Sequence, residues 1–392
     1  FPALGLYALW VALLYAAAAR WLGAARAGVC AGLLAVVPAG AKYFALFNLP
    51  DVPFGVLLFA FHWALAEFPA QGGVRRSAAL GALGGLLYLC RYNFCIWLPF
   101  YFGYLAWMLE RRARGPGLAA FAAGAALTCA PSLWYNLHWF SSWLTPDVVW
   151  NVAHGVVTSE QPWLNFRTYD TAAILAEHWP AIALKALDRL HTLMLEGPML
   201  WQLQALLPFL ALGAARWPGG APRRFLFLNT AAFVIQAAAF APLRFDSWGL
   251  GVGYRYLFWF CPVLILLGVH GAATLAGKLP DRWRSPALAV WLGVHAAFVI
   301  PFYTHDLTAI HLNHPSGLPP RQWPELAWLR ERTAPEDWVV SNLPAHVAWY
   351  AGRGAVGLTN DPEEIRAMGE VRPLRYLLVS VINIAALGDT PR

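Results

Sequence analysis

About ten long apolar stretches run along this chain, separated by short connections, and the arginines gather in every second connection. The stretches lie near residues 2–20, 27–47, 51–68, 77–90, 93–109, 118–137, 192–213, 225–243, 254–276 and 286–303. A bilayer core about 30 Å thick takes about 20 helical residues to cross. Most stretches reach that length; the one near 77–90 is short and is expected to tilt, or to run on toward Arg91. Backbone polar groups in hydrocarbon must be satisfied within the segment, which selects helices. The predicted fold is therefore an all-α polytopic membrane protein with about ten transmembrane helices.

Five connections carry Arg20 and Arg26; Arg75 and Arg76; Arg111, Arg112 and Arg114; Arg216, Arg223 and Arg224; and Lys278, Arg282 and Arg284. The connections between them hold only Arg91, Arg244 and Arg255. Thirteen against three in strict alternation is a positive-inside pattern. It places residues 1 and 392, and the segments 138–191 and 304–392, on the outer face.

Only 12% of residues are charged, against about a quarter in soluble domains. The net charge of +7 follows from arginines beside a membrane surface and needs no nucleic-acid partner. Arginine far outnumbers lysine and alanine is abundant, a bias that points to a GC-rich bacterial genome. The five cysteines, Cys30, Cys90, Cys95, Cys129 and Cys261, all sit in or beside apolar stretches. They imply no disulfide framework. The chain opens on Phe1 in mid-pattern, so the expectation is that at least one further span and an outer loop precede it.

Two blocks are expected: a helical membrane body over 1–303 and a water-exposed cap over 304–392. An outer loop at about 138–191, rich in Trp and His, interrupts the body. Within it Ile174, Leu175, His178, Ile182, Leu187 and Leu190 could share one face of a helix lying on the membrane; a loop packed on the outer ends of the spans fits equally well. Prolines 2, 53, 99, 131 and 262 fall near span ends or one turn in, where a missing N–H is tolerated. In the cap, "WPELAWLRERTAPEDWVVSN" reads as a helix, a turn at Ala334-Pro335 and then a strand at 338–341, "PAHVAWYAGR" as a short helix and "AVGL" as a strand. A helix starting with Asp361 as N-cap and Pro362 at its first position follows, then a buried-type strand in "RYLLVSV". This alternation predicts a small α/β unit with a parallel sheet.

Asp51, in "FNLPDVPFG", is an acid at the mouth of a span. An acid at membrane depth is a functional candidate, and the same residue could simply cap the helix it begins. Arg91, Arg244 and Arg255 break the charge rule together and could grip a phosphate bidentately; headgroup contact is the bland alternative. Tyr92, Asp246 and Tyr254 lie beside them. His305, Asp306, His311 and His314 have metal-binding types without a metal-binding spacing. Glu67 reads as interfacial; His62 and Lys42 sit within spans, and pairing of Lys42 with Glu67 is not expected.

"NLPDVPFGVLLFAF", "RYNFCIWLPFYFGYLAWMLERR", "GYRYLFWFCPVLILLG" and "ELAWLRERTAPEDWVVSNLPAHVAWYAGRGAVGL" together resemble the GT-C membrane glycosyltransferases, in the branch of the protein O-mannosyltransferases and the lipid A aminoarabinose transferase. The resemblance implies transfer of a sugar from a polyprenyl-phosphate donor to an acceptor hydroxyl of a lipid, protein or glycan. It implies a bacterial inner membrane with the site facing outward. Developing charge on the leaving phosphate calls for fixed guanidiniums, the role implied for Arg91, Arg244 and Arg255. A carboxylate would take the acceptor proton. In the family that main acid lies in the first outer loop, which would precede Phe1, so Asp51 matches the second outer acid, in a supporting role. No cofactor is assigned; a divalent cation is left open. The rival readings are a transporter or lipid flippase, which calls for inverted repeats and mid-membrane polar groups, and a non-catalytic relative.

Overall fold

The computed structural model describes residues 2–37, 51–140, 173–174, 176–187, 203–240, 254–304, 322–341, 343–358 and 362–379. The chain divides into a helical unit, Phe1–Thr145 with Pro180–Tyr303, and a second unit, Pro146–Trp179 with Thr304–Arg392.

The helical unit opens with a hairpin of α1 (Pro2–Leu22) and α2 (Ala24–Ala35). Gly23 alone joins them at φ 91°, a backbone setting that side chains rarely adopt. The Tyr7 hydroxyl donates to the Leu34 carbonyl across the hairpin. Then come α3 (Asp51–Ala66), α4 (Val74–Cys90), α5 (Leu98–Met108) and α6 (Arg111–Phe140). After them lie α7 (Leu207–Ala215), α8 (Ala221–Phe240), α9 (Cys261–Ala276) and α10 (Asp281–Thr304).

Three of these helices begin alike. A 3-10 segment runs into α5 (Tyr92–Trp97), α7 (Gln204–Leu206) and α9 (Tyr254–Phe260), and each helix carries a proline in its first turn. Proline there lacks an N–H that would be unsatisfied anyway, while its ring obstructs a helix continuing from upstream. Among the described residues four helices are long and apolar enough to cross a bilayer, and four apolar helices are shorter. Several of the expected stretches, among them 27–47 and 192–213, run partly outside the described residues. Pro131 is also displaced from its expected place near a span end: α6 runs on to Phe140 with Pro116 and Pro131 both inside it.

Glycines set two close helix crossings. A Cβ on Gly81 of α4 would lie 2.0 Å from the Phe121 carbonyl oxygen of α6, and one on Gly124 of α6 would lie 2.2 Å from that of Ala78. The same geometry joins α7 to α9, where Cβ atoms on Gly213 and Gly271 would meet the Leu267 and Phe209 carbonyl oxygens at 2.0 and 2.1 Å. Packing without a hydrophobic drive between helices depends on such close backbone approach. Helix α9 is buried along nearly its whole length, so it forms the axis of this unit. By contrast Leu127 of α6 and Val290 of α10 stand 80% and 68% exposed, as suits faces turned to lipid.

The basic connections meet at one end of this unit. Arg20 pairs with Glu67 at 3.0 Å. Arg224 Nε donates to the Ala66 carbonyl at 2.8 Å. Arg26 contacts His270 Nδ1 at 3.0 Å, and His270 Nε2 lies 2.9 Å from the Arg216 carbonyl. Arginine therefore supplies the donor to Nδ1, and the imidazole is the neutral tautomer with its proton on Nε2. Asp51 occupies the other end of α3, about 22 Å from Ala66 by helical rise.

In the segment at 173–187 the described residues are helical. Ile174 and Ile182 are buried and Leu187 is 67% exposed. Leu175 and Leu190 lie outside the described residues.

The second unit holds a three-stranded parallel sheet, ordered β2-β1-β3. Its elements are α11 (Pro324–Arg332), β1 (Trp338–Ser341), a helical turn over Pro344–Ala351, β2 (Gly354–Gly357), α12 (Pro362–Val371) and β3 (Leu374–Leu378). Trp323, Leu326, Leu329, Val339, Val347 and Ala351 form its core. The parallel sheet agrees with the alternating pattern. The buried character expected for the last strand does not hold: Tyr376 and Leu378 pack on the core while Leu377 is 64% exposed. An edge strand covered on one face buries alternate residues. Arg353 ties this unit together, donating to Thr333 Oγ1 at 2.7 Å and to the Arg330 and Thr333 carbonyls at 2.7 and 2.8 Å.

Candidate active site

Asp51 is the first residue of α3, and Arg91 ends α4 in an extended conformation with φ −153° and ψ 113°. That extended residue, lying between a helix and a 3-10 turn, turns its side chain back toward the start of α3. Arg91 Nη2 donates to Asp51 Oδ1, and both side chains are buried. The ion pair gives Asp51 a tertiary role beyond its place at the helix start. It brings together two residues that the sequence marked separately.

Aromatic rings wall the pair in. The Arg91 guanidinium lies 5.9 Å from the centre of the Phe54 ring, within reach of the attraction between a cation and a ring face. Phe54 stacks on Trp97 at 5.8 Å, and Trp97 meets Trp259 edge-on at 5.3 Å. A buried ion pair needs good geometry to offset the desolvation of both charges. Low-dielectric walls strengthen the attraction within it.

Farther along α3, about 16 Å from Asp51 by helical rise, His62 anchors a second polar cluster. Asn229 Nδ2 donates to the Phe225 carbonyl at 2.8 Å, which turns its Oδ1 toward His62. His62 Nδ1 then donates to Asn229 Oδ1 at 2.9 Å, and His62 Nε2 accepts from the Tyr101 hydroxyl at 2.6 Å. Trp259 Nε1 donates to Gln236 Oε1 at 2.7 Å. These bonds join α3, α5, α8 and the segment entering α9. Sequence reasoning noted His62 but missed its partners. Asn229 and Gln236, seven residues apart in one apolar stretch, were the available signal: that spacing puts both on one helix face.

The remaining sequence candidates fall as follows. Tyr92 is exposed, directly after Arg91. Tyr254 and Arg255 open the 3-10 segment before α9. Arg244 and Asp246 lie outside the described residues, as do Lys42, His305, Asp306, His311, His314 and Asp361. Glu67 pairs with Arg20 at 3.0 Å, just past the end of α3 opposite Asp51. Among the described residues no group of three or more His, Cys, Asp or Glu could hold a metal ion.

The segment that carries the ion pair also carries a family likeness. Residues 1–135 match the family of dolichyl-phosphate-mannose-protein mannosyltransferases. The mannosyltransferase match spans about a third of the chain. It takes in α1 to α5 and most of α6, and with them Asp51, Arg91 and Tyr92. Tyr254 and Arg255 lie beyond it. No curated protein matches the chain. With four apolar helices of bilayer length, the mannosyltransferase match supports a membrane protein similar to glycosyltransferases, in line with the resemblance read from the sequence.

Proposed function

We propose that this protein is an integral-membrane glycosyltransferase that moves a sugar from a polyprenyl-phosphate-linked donor to an acceptor hydroxyl on the outer face of a bacterial inner membrane. The observation that carries the reading is the buried Asp51–Arg91 pair, inside the mannosyltransferase-matching segment and at the end of α3 away from the basic connections. An acid and a guanidinium held together among aromatic rings suit the recognition of a sugar phosphate. Arginine offers several donors in a planar fork. The carboxylate fixes the direction in which that fork points.

In this reading Asp51 is a positioning residue, because its carboxylate is engaged by Arg91. Arg91 steadies the leaving phosphate as charge gathers on its oxygens, and Arg255 and Arg244 assist from the segment before α9. A separate carboxylate takes the acceptor proton. The second unit, 304–392 in the expected division, is a water-exposed α/β domain on the outer side of the membrane.

The test is transfer from a radiolabelled polyprenyl-phosphate sugar by purified protein in lipid, with activity expressed per folded molecule. Asp51→Asn is expected to lower transfer about 100-fold, the scale at which small misplacements of reacting groups act. Full activity in folded Asp51→Asn would remove the pair from the site.

The competing reading is a lipid transporter or flippase. The His62 cluster is the observation on its side, since polar groups in the interior of a bundle can line a transport path. Its bonds join partners from four separate elements, which supports a packing role instead.

A further inference from the structure

At the basic end of the helical unit, α5 and α8 enclose a cleft of about 790 Å³ that the reading above does not use. Pro99, Phe100, Gly103 and Trp107 line it from α5, with Arg223, Arg224 and Phe227 from the first turns of α8. From Pro99 to Trp107 the cleft follows α5 for about 12 Å. Trp107 and Phe227 are 71% and 54% exposed, which leaves this aromatic face open.

Three features distinguish this cleft from a plain lipid-facing groove. The first is charge: Arg223 and Arg224 stand at its mouth, in the opening turn of a helix, where anions are also favoured by the backbone dipole. Arg224 spends its Nε on the Ala66 carbonyl, whereas Arg223 is exposed. The second is Tyr104, which lines the cleft at only 5% exposure and whose buried hydroxyl meets no hydrogen-bond partner among the described residues. A buried hydroxyl without a partner is costly. The third is Gly103, where an added Cβ would meet nothing within 4 Å, so the glycine leaves the cleft open along its length.

We propose that this cleft binds an anionic phospholipid, with its phosphate on Arg223 and Arg224, its headgroup reaching the Tyr104 hydroxyl, and an acyl chain along Phe100, Gly103, Trp107 and Phe227. Arginine at a membrane surface draws acidic lipids, and the apolar length of the cleft selects a ligand with a tail over free phosphate. The site lies at the opposite end of the helices from Asp51 and Arg91, so its occupant is a resident lipid, separate from any sugar donor.

The experiment is native mass spectrometry of the full chain in detergent, titrated with dioleoyl phosphatidylglycerol, dioleoyl phosphatidylcholine or inorganic phosphate. Phosphatidylglycerol is expected to bind about tenfold more tightly than phosphatidylcholine, whose choline cation offsets the phosphate charge offered to Arg223 and Arg224. Arg223→Ala should erase that preference. Tyr104→Phe should weaken phosphatidylglycerol several-fold without lowering the melting temperature of lipid-free protein, since the hydroxyl gives up no bond to the described residues. Gly103→Leu should fill the cleft and block both lipids while the protein stays folded. Equal binding of the two lipids, unchanged lipid binding in Gly103→Leu, or retention of inorganic phosphate as tight as that of phosphatidylglycerol would each overturn the proposal.

Discussion

Asp51 and Arg91 stand 40 residues apart in the chain and meet as a buried ion pair, with side-chain exposures of 1% and 6%. Removing one member of such a pair strands the other charge, a loss of about 3–5 kcal/mol. Arg91→Gln alone should therefore lower the unfolding temperature sharply. The double variant Asp51→Asn/Arg91→Gln should be less destabilised than the two single losses added together. Strict additivity in a double-mutant cycle would show that the two side chains do not act on each other.

Arg255 enters through the proposed phosphate contact. Arg255→Ala should raise the donor KM about tenfold, the value of one charged hydrogen bond, and leave the acceptor KM nearly constant. Steady-state kinetics with each substrate varied in turn distinguishes the two. An unchanged donor KM takes Arg255 out of the donor site.

The His62 cluster should be structural. Tyr101→Phe removes the donor to His62 Nε2 and leaves that nitrogen buried, a cost of about 1–3 kcal/mol. Chemical unfolding in detergent should register this loss, while transfer per folded molecule stays within about twofold, given the roughly 16 Å of helical rise that separates His62 from Asp51. A large fall in transfer with no loss of stability would move the cluster into the reaction.

Close packing of α4 on α6 predicts a size limit at Gly124. Its Cβ position lies 2.2 Å from the Ala78 carbonyl oxygen. Gly124→Val should force the two helices apart at a cost of about 1–3 kcal/mol or more, as overpacking does. Yield of monodisperse protein by size exclusion should drop in step. Gly28→Ala, where nothing lies within 4 Å of the added carbon, should be neutral.

His346 gives the second unit a pH dependence. Its ring stacks on Trp323 at 5.3 Å, and burial holds its pKa below the ordinary histidine value. The unfolded chain then takes up a proton near pH 6.5 that the folded unit resists. Stability should be constant above about pH 6.5 and decline as pH falls from there toward the depressed folded value. Hydrogen exchange of the β1 amides in the full chain should speed up over that interval, and His346→Phe should flatten the trend. Slower exchange at acid pH, after correction for intrinsic rates, would contradict it.

The class of this protein and much of its second unit were legible in the sequence. Hydropathy, the scarcity of charge and the placement of arginines are properties read residue by residue, because the bilayer acts on each segment separately. The helix and strand order from Pro324 to Leu378 was legible for a similar reason: turn signals and apolar runs act locally. Leu377 was misread because burial of an edge strand depends on what covers each face. A 3-10 segment precedes the helix at each of Pro99, Pro208 and Pro262, a local irregularity that hydropathy alone does not register. Contacts between elements were not legible in the sequence: Asp51 bonds Arg91, His62 meets Tyr101 and Asn229, and Arg223 and Tyr104 border one cleft. Each depends on which helix faces which. That choice rests on side-chain and backbone fit, which cannot be judged until the partner helix is in place.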